Sequence, residues 1–173
     1  MGYNMGRILA GNALLNTCTV TNCGGAPIGS TPGLHNIYIS TCNPFLATYV
    51  TTTACRTGMG LKVCDFTGTN NLQNNVIDHC TANNNLGESS TIHDGIGIGV
   101  WNLVNPVIQY CSGNNNNGSG LFIQNNWTAH TATVLSSTFT GNVYAVNASY
   151  DIYMLNVPTP TVTGCVYSTH AGF

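Results

Sequence analysis

The chain has 173 residues and a mass of 18.2 kDa, which fits one domain with enough length to bury a core. Charged residues make up only 5% of the sequence, with three Lys or Arg, five Asp or Glu and a formal net charge of −2. This composition supplies no basic patch for nucleic acid or for an anionic membrane surface. The hydrophobic share of 43% argues against disorder, while 24 Asn, 23 Thr and 20 Gly disfavour a helical fold.

The sequence carries no recognisable targeting or membrane signal. Residues 1–15 are interrupted by Gly and Asn and lack the continuous apolar core of a secretory signal peptide. No stretch approaches the roughly 20 apolar residues that a transmembrane helix needs. We therefore expect neither membrane insertion nor nucleic-acid binding.

Two short motifs recur along the chain. The first reads Val-Ile-Asp-His-Cys-Thr-Ala-Asn-Asn at 76–84 and Val-Ile-Gln-Tyr-Cys-Ser-Gly-Asn-Asn at 107–115. In chain order, strands of this kind are predicted to begin at residues 14, 38, 76, 107, 134 and 162. The second motif alternates Gly with apolar residues at 94–102 and returns at 117–125, and related copies begin at 60 and 141.

Strands this short become stable when the next turn of the chain stacks on them, which indicates a solenoid of parallel strands. The longer intervals between copies predict loop excursions near 43–58 and 86–93. The Asn runs at 83–85 and 114–117 occupy matching places and are candidates for a stacked hydrogen-bonding ladder. Cys18, Cys42, Cys80 and Cys111 share one repeat position. They are read as an interior apolar column, with disulfides between strands as the alternative.

These repeats resemble the Asn-rich segments of right-handed parallel β-helix proteins of the pectate-lyase-like superfamily, including tailspike-type and surface proteins. The resemblance is carried by residues 76–85, 94–102, 107–116 and 117–125. It implies an all-β, single-domain parallel β-helix over residues 1–173, with five to seven rungs and without a clear helical cap. The superfamily includes lyases, hydrolases, epimerases, viral tailspikes and non-catalytic surface proteins, so the fold does not select a function.

One acidic cluster is the candidate for catalysis. It comprises Asp78, Glu88, His93 and Asp94. Two suitably spaced carboxylates can hydrolyse a glycosidic bond, whereas Asp78, Glu88 and Asp94 together can bind Ca²⁺. A hydrogen-bonded surface turn is the third interpretation. The Asn-Thr-Asp, Asp-Asp, Gly-His-Gly and Arg-Ile-Lys signatures of the related polygalacturonase-type hydrolases do not occur, and no Lys or Arg belongs to a lyase motif.

Aromatic residues offer a binding interpretation. Trp101, Phe122 and Trp127 lie on or near the repeated strands. Trp101 and Phe122 align with Gln and Gly in the neighbouring copy, which predicts outward side chains that stack on sugar rings. Isolated surface aromatics are the alternative reading.

Together these patterns favour a non-catalytic structural or carbohydrate-binding β-helix on an extracellular or virion surface, with a glycan as partner. Self-assembly into a fibre or spike is compatible with that reading. No cofactor is required, although Ca²⁺ remains open. The alternative is a polysaccharide lyase, glycoside hydrolase or epimerase that uses the acidic cluster.

Overall fold

The computed structural model describes residues 3–5, 13–23, 35–40, 44–65, 75–87, 95–142 and 150–172. Within these ranges every regular element is a β-strand and every strand pairing is parallel. The all-β class with parallel strands is therefore confirmed, and the arrangement is compatible with a parallel β-helix.

The described chain passes repeatedly between two sets of parallel strands. In chain order the strands are β1 (Tyr3–Met5), β2 (Ala13–Thr21), β3 (Ile37–Ser40), β4 (Phe45–Thr53), β5 (Leu61–Cys64), β6 (Val76–Asp78), β7 (Thr81–Asn83), β8 (Ile98–Trp101), β9 (Val107–Gln109), β10 (Leu121–Gln124), β11 (Thr133–Leu135), β12 (Thr138–Phe139), β13 (Ile152–Leu155), β14 (Thr161–Thr163), β15 (Val166–Tyr167) and β16 (His170–Ala171).

Two parallel sheets organise these strands. Sheet A has the order β1-β3-β5-β8-β10-β13-β16, and sheet B has the order β14-β11-β9-β6-β4-β2, with β7 beside the second half of β4. Strands β12 and β15 pair with each other, and single bridges link Thr81, Ser112 and Thr138 into the same row. Parallel neighbours cannot be joined by a tight hairpin, so the chain visits the other sheet before it returns.

The core consists of apolar columns that run across the strands at constant register. In sheet B, Ala47, Ile77, Ile108 and Val134 follow one another, and each is at most 1% exposed. The inward residues of sheet A belong to the same buried cluster. Burying an aliphatic side chain of this size contributes about 1.5–3 kcal/mol, so repetition of one inward position builds the core.

A second interior column is polar and consists of amides. The Asn85 side-chain N–H donates to Asn116 Oδ1 at 2.8 Å, Asn116 donates to Asn142 Oδ1 at 3.0 Å, and Asn142 donates to Asp151 Oδ1 at 2.9 Å. The other Asp151 oxygen accepts the Ser168 backbone N–H at 2.8 Å. Each of these buried amides is thereby hydrogen-bonded to the matching residue of the next turn of the chain, which removes the penalty for burying it alone.

The register differs from the sequence-based expectation in four places. The copies expected to begin at 134 and 162 align one residue earlier, because Thr133 pairs with Val107 and with Thr161. Residues 38–40 belong to sheet A rather than to the Val-Ile copies, and β4 takes their place in sheet B. The expected excursion at 43–58 therefore contains a nine-residue strand. The copy expected at 141–147 lies mostly outside the described residues, and β10 pairs instead with β13. Strand β4 was not predicted because Val50 stands where Cys18, Cys80 and Cys111 stand in three other copies, although both side chains suit the same small inward position.

Candidate functional site

Three aromatic rings stack on the outside of sheet B. Tyr49 and His79 have ring centroids 5.0 Å apart at an interplanar angle of 31°, and His79 and Tyr110 are 4.8 Å apart at 27°. The stack is open to solvent, since Tyr49 is 57% exposed and Tyr110 is 54% exposed. We call these three residues the ring stack.

A left-handed corner turns each ring outward. The ring-stack residues have φ values of 55°, 49° and 52°, and Thr17 and Ser136, one strand further on at either side, share this conformation. Bulky side chains rarely adopt it, and it costs on the order of 1–2 kcal/mol at each residue. The parallel backbone ladder holds the corner, because His79 N–H donates to Gln109 O at 3.0 Å and Tyr110 N–H donates to Leu135 O at 3.1 Å.

A row of polar side chains lies beside the rings. Thr48, Asp78 and Gln109 occupy one register position on β4, β6 and β9. Gln109 Nε2 donates to Asp78 Oδ1 at 3.0 Å, and His79 Nδ1 lies 3.0 Å from the same oxygen. We call this the polar row. Its hydrogen bonds order the Asp78 carboxylate and the His79 ring before any ligand arrives.

The corner strip, meaning the ring stack together with the polar row, has little charge. It contains one carboxylate and one imidazole. Arg56 and Lys62, the two Lys or Arg residues in the described part of the chain, do not belong to it. A single carboxylate does not provide the acid and base pair that glycosidic hydrolysis uses. The strip instead offers ring edges beside hydrogen-bonding groups, which is suited to binding.

The predicted acidic cluster is only partly described. Asp78 belongs to the polar row, whereas Glu88, His93 and Asp94 lie outside the described residues, as does most of the predicted excursion at 86–93. No group of three or more His, Cys, Asp or Glu in the described ranges is arranged to hold a metal ion. Where the chain is described, it also forms no helix with the length and apolarity that a membrane span requires.

The predicted aromatic row on sheet A is not an exposed row. Trp101 is 7% exposed and Phe122 is 2% exposed, contrary to the expectation of outward, accessible rings. Their centroids are 5.0 Å apart, and Phe122 also meets the Tyr153 ring edge-on at 5.3 Å. Trp127 differs from them, because it lies outside the strands and is 49% exposed.

Lys62 lies within this sheet A cluster. Its ammonium is 5.1 Å from the Tyr38 ring centroid and 5.0 Å from that of Trp101, which is cation–π geometry. His35 packs 5.4 Å from Tyr38, and its Nδ1 accepts the Met59 backbone N–H at 3.0 Å. Burial, and then the Lys62 charge, lower the pKa of His35 to about 3. Burial, followed by the Cys64 contact, raises the pKa of Tyr38.

The described cysteines are all thiols. Cys80 and Cys111 are buried at matching positions two residues after β6 and β9, and the Cys80 backbone N–H donates to Cys111 Sγ at 3.4 Å. The Cys80 contact and then burial raise the pKa of Cys111. These two positions act as small apolar members of the core, while Cys42 lies outside the described residues.

No protein-family model, curated protein sequence or solved structure matches this chain. The ring stack was not predicted from the sequence, although His79 and Tyr110 occupy the same place in the two best copies of the first motif. The third member, Tyr49, was harder to find, because its strand lacks the Val-Ile-x-x-Cys sequence pattern.

Proposed function

We propose that this protein is a non-catalytic, right-handed parallel β-helix of the pectate-lyase-like kind whose corner strip binds a neutral polysaccharide. The all-parallel pairing and the alternation of the chain between two sheets support the architectural part. An extracellular or virion-surface location belongs to the proposal, because polysaccharides are displayed there.

The ring stack is the observation that carries the binding proposal. Three rings held in register form a rigid surface, so a ligand pays little for ordering them. The register positions next to the two ends of the stack carry the small residues Thr17 and Ser136, and Tyr49 and Tyr110 are each more than half exposed. The apolar face of a sugar ring can pack against such a phenol, whose hydroxyl remains available for hydrogen bonds.

The polar row supplies the directional part of recognition. Thr48 offers a hydroxyl, Asp78 offers carboxylate oxygens and Gln109 offers an amide, each one residue before a ring of the stack. These groups match the donors and acceptors of sugar hydroxyls. Because the strip carries Asp78 and neither Lys nor Arg, an acidic glycan would meet repulsion without a compensating cation, which favours a neutral one.

Affinity electrophoresis through gels that contain soluble polysaccharides tests the proposal. Neutral xylans, glucans and mannans are compared with polygalacturonate and alginate, each with Ca²⁺ and with chelator. At least one neutral polymer is expected to retard the protein, with no effect of chelator. Tyr110→Ala and Tyr49→Ala are each expected to raise the dissociation constant about three- to tenfold, as loss of one aromatic contact implies.

Trp127→Ala is the matched control, because it removes an equally exposed aromatic residue outside the strip. Retardation by none of the neutral polymers would contradict the proposal. So would loss of retardation in Trp127→Ala with normal retardation in Tyr110→Ala. Release of new reducing ends or unsaturated sugars from a bound polymer would overturn the non-catalytic part, and Asp78→Asn would then test the role of Asp78.

A further inference from the structure

The terminal strands of both sheets are paired on one side only. Within the described residues, β14 pairs with β11, β15 with β12 and β16 with β13, and none has a second neighbour. At the opposite edge, β2 pairs with β4 and β1 pairs with β3 in the same one-sided way. Each such edge presents backbone N–H and C=O groups in the pattern that another parallel strand would use.

The apolar columns of the core are unfinished at these edges. Ile77 and Ile108, in the middle of the sheet B column, are at most 1% exposed. Leu15 and Val162, which end the same column, are only partly buried. Cys18 and Cys165 are also half-buried, although Cys80 and Cys111 between them are buried. Both edges thus expose apolar surface that one more strand would cover.

The two edges match each other in spacing. The partly or fully buried residues of β2 are Leu15, Cys18 and Val20, separated by three and then two positions. Those of the last strands are Val162, Cys165 and Tyr167, with the same separations. The left-handed corner also falls at the same place, at Thr17 in the first set and Gly164 in the last. One edge can therefore continue the register of the other without a bulge or a shift.

The five described edge strands lack charged residues and proline, which usually prevent such pairing. No Asp, Glu, Lys or Arg occurs in β1, β2, β14, β15 or β16. Natural edge strands are commonly protected by inward charges, by Pro within the strand or by a bulge. Here the nearest prolines, Pro158 and Pro160, precede β14 and leave its own backbone free of Pro.

We propose that copies of this chain stack end to end, with β14 and β15 of one copy pairing with β2 of the next and β16 pairing with β1. Val162 of one copy then lies against Leu15 of the next, and Cys165 lies against Cys18. A contact between two different surfaces of the same chain does not close on itself unless the rotation forms a ring, so the product is an open filament. Glycan binding is tested separately from this inference, because the ring stack lies on or directly after β4, β6 and β9, none of which is an edge strand.

Light scattering coupled to size exclusion tests the proposal on the 173-residue chain. The mass is expected to rise with concentration through multiples of 18.2 kDa. Val162→Lys places a charge in the stacking surface, where the open edge lets the lysine reach water in the single copy. The Val162→Lys variant is expected to keep the mass of a single chain at every concentration. Thr161→Lys, which changes an exposed residue on the same strand, is expected to assemble like the wild type.

A mixing experiment fixes the direction of the contact. Leu15→Lys is expected to remain a single chain like Val162→Lys, and circular dichroism checks that both variants are folded. Lysine is used at both positions because the two altered edges would then repel each other. Mixed together, the two variants retain one wild-type edge each and are expected to form a two-chain species that grows no further. A wild type that stays at one chain at every concentration would overturn the proposal, as would a Leu15→Lys variant that still dimerises by itself.

Mild oxidation with copper phenanthroline, which joins two adjacent thiols directly as a disulfide, gives a second, local measurement. End-to-end stacking predicts a cross-link between Cys18 of one copy and Cys165 of another, identified by mass spectrometry of mixed isotope-labelled chains. Links joining Cys18 to Cys18 or Cys165 to Cys165 would instead show like edges in contact and would contradict the proposal. Retention of Val162→Lys on the neutral polysaccharide gel separates failure of stacking from failure of glycan binding.

Discussion

Two groups of aromatic residues lie on the outward sides of the two sheets, and they differ completely in exposure. On sheet A, Trp101 and Phe122 are buried together with Met59 and Cys64. On sheet B, Tyr49 and Tyr110 are more than half exposed although His79 lies between them. An outward position in a strand therefore does not by itself predict an accessible side chain.

The difference has a local cause at Gly99. This residue stands beside Lys62 and Phe122 in the register of sheet A, and the Trp101 ring occupies the space that a side chain would take there. The indole thus lies over the sheet and joins its neighbours in a small second core. In the corner strip every register position carries a side chain, so the rings stack on one another and stay in solvent.

The largest expected effect separates the two aromatic groups by stability. Phe122→Ala removes a buried ring and is expected to lower the free energy of unfolding by about 3–5 kcal/mol. Tyr110→Ala removes an exposed ring and is expected to cost less than about 1 kcal/mol. Equilibrium urea unfolding at constant pH measures both. Equal losses for the two variants would contradict the distinction between a buried and an accessible group.

Acid is expected to destabilise the sheet A group through His35. Its pKa is lowered to about 3 in the folded protein, against an ordinary value of 6.5, so the unfolded chain binds the additional proton. The neutral His35 ring makes its full contribution to the free energy of unfolding above about pH 6.5. That free energy is expected to fall by about 2 kcal/mol between pH 7 and pH 5. Thermal or urea unfolding as a function of pH measures this slope. His35→Gln, which keeps a hydrogen-bond acceptor, is expected to flatten it, and an unchanged slope in that variant would contradict the assignment.

A methyl group at Gly99 tests why Trp101 is buried. Gly99→Ala would place its Cβ against the Trp101 ring and 2.8 Å from Met59 Sδ, with an expected cost of about 1–3 kcal/mol. Trp101→Val removes the obstructing ring, so the cost of Gly99→Ala should shrink in that background in a double-mutant cycle. Gly97→Ala is the control, because its Cβ would meet the backbone oxygens of Ala82 and Gly120 at 2.6 and 2.7 Å, which Trp101→Val cannot relieve. Additive costs for Gly99→Ala and Trp101→Val would argue against this explanation.

The smallest expected effect concerns the charge in the sheet A group. Lys62→Met keeps the aliphatic stem and removes the ammonium from Tyr38 and Trp101, with an expected loss of about 0.5–1 kcal/mol. Because Lys62 also lowers the pKa of His35, the acid sensitivity should weaken slightly in the same variant. Arg56→Met removes an exposed cation and serves as the comparison. A gain in stability for Lys62→Met would show that the aromatic contacts do not offset the burial of the charge.

Much of the architecture was predictable from repetition in the sequence. The copies at 76 and 107 pair in register as expected, and those at 134 and 162 follow them in the same sheet. The Asn runs contact each other, since the Asn114 backbone N–H donates to Asn83 Oδ1 at 2.7 Å. Strand β4 was missed because its inward residues resemble those of the other copies in size but differ from them in residue type.

The site was less predictable, because exposure depends on neighbours that are distant in sequence. Trp101 and Phe122 were expected outward from their alignment with Gln and Gly, and the alignment itself was correct. The alignment could not show that Gly99, which has no side chain, leaves space for the Trp101 indole to pack against the sheet. Tyr49, His79 and Tyr110 lie 30 and 31 positions apart in the sequence and meet only because their strands are adjacent.

By itself, the sequence determined an all-β chain of short strands that stack in parallel, because few charges, many Asn and Gly and recurring inward apolar positions are compatible with little else. Only the tertiary structure decided which outward rings are covered and which face solvent. That outcome depends on the volume between three neighbouring strands, which no single repeat contains.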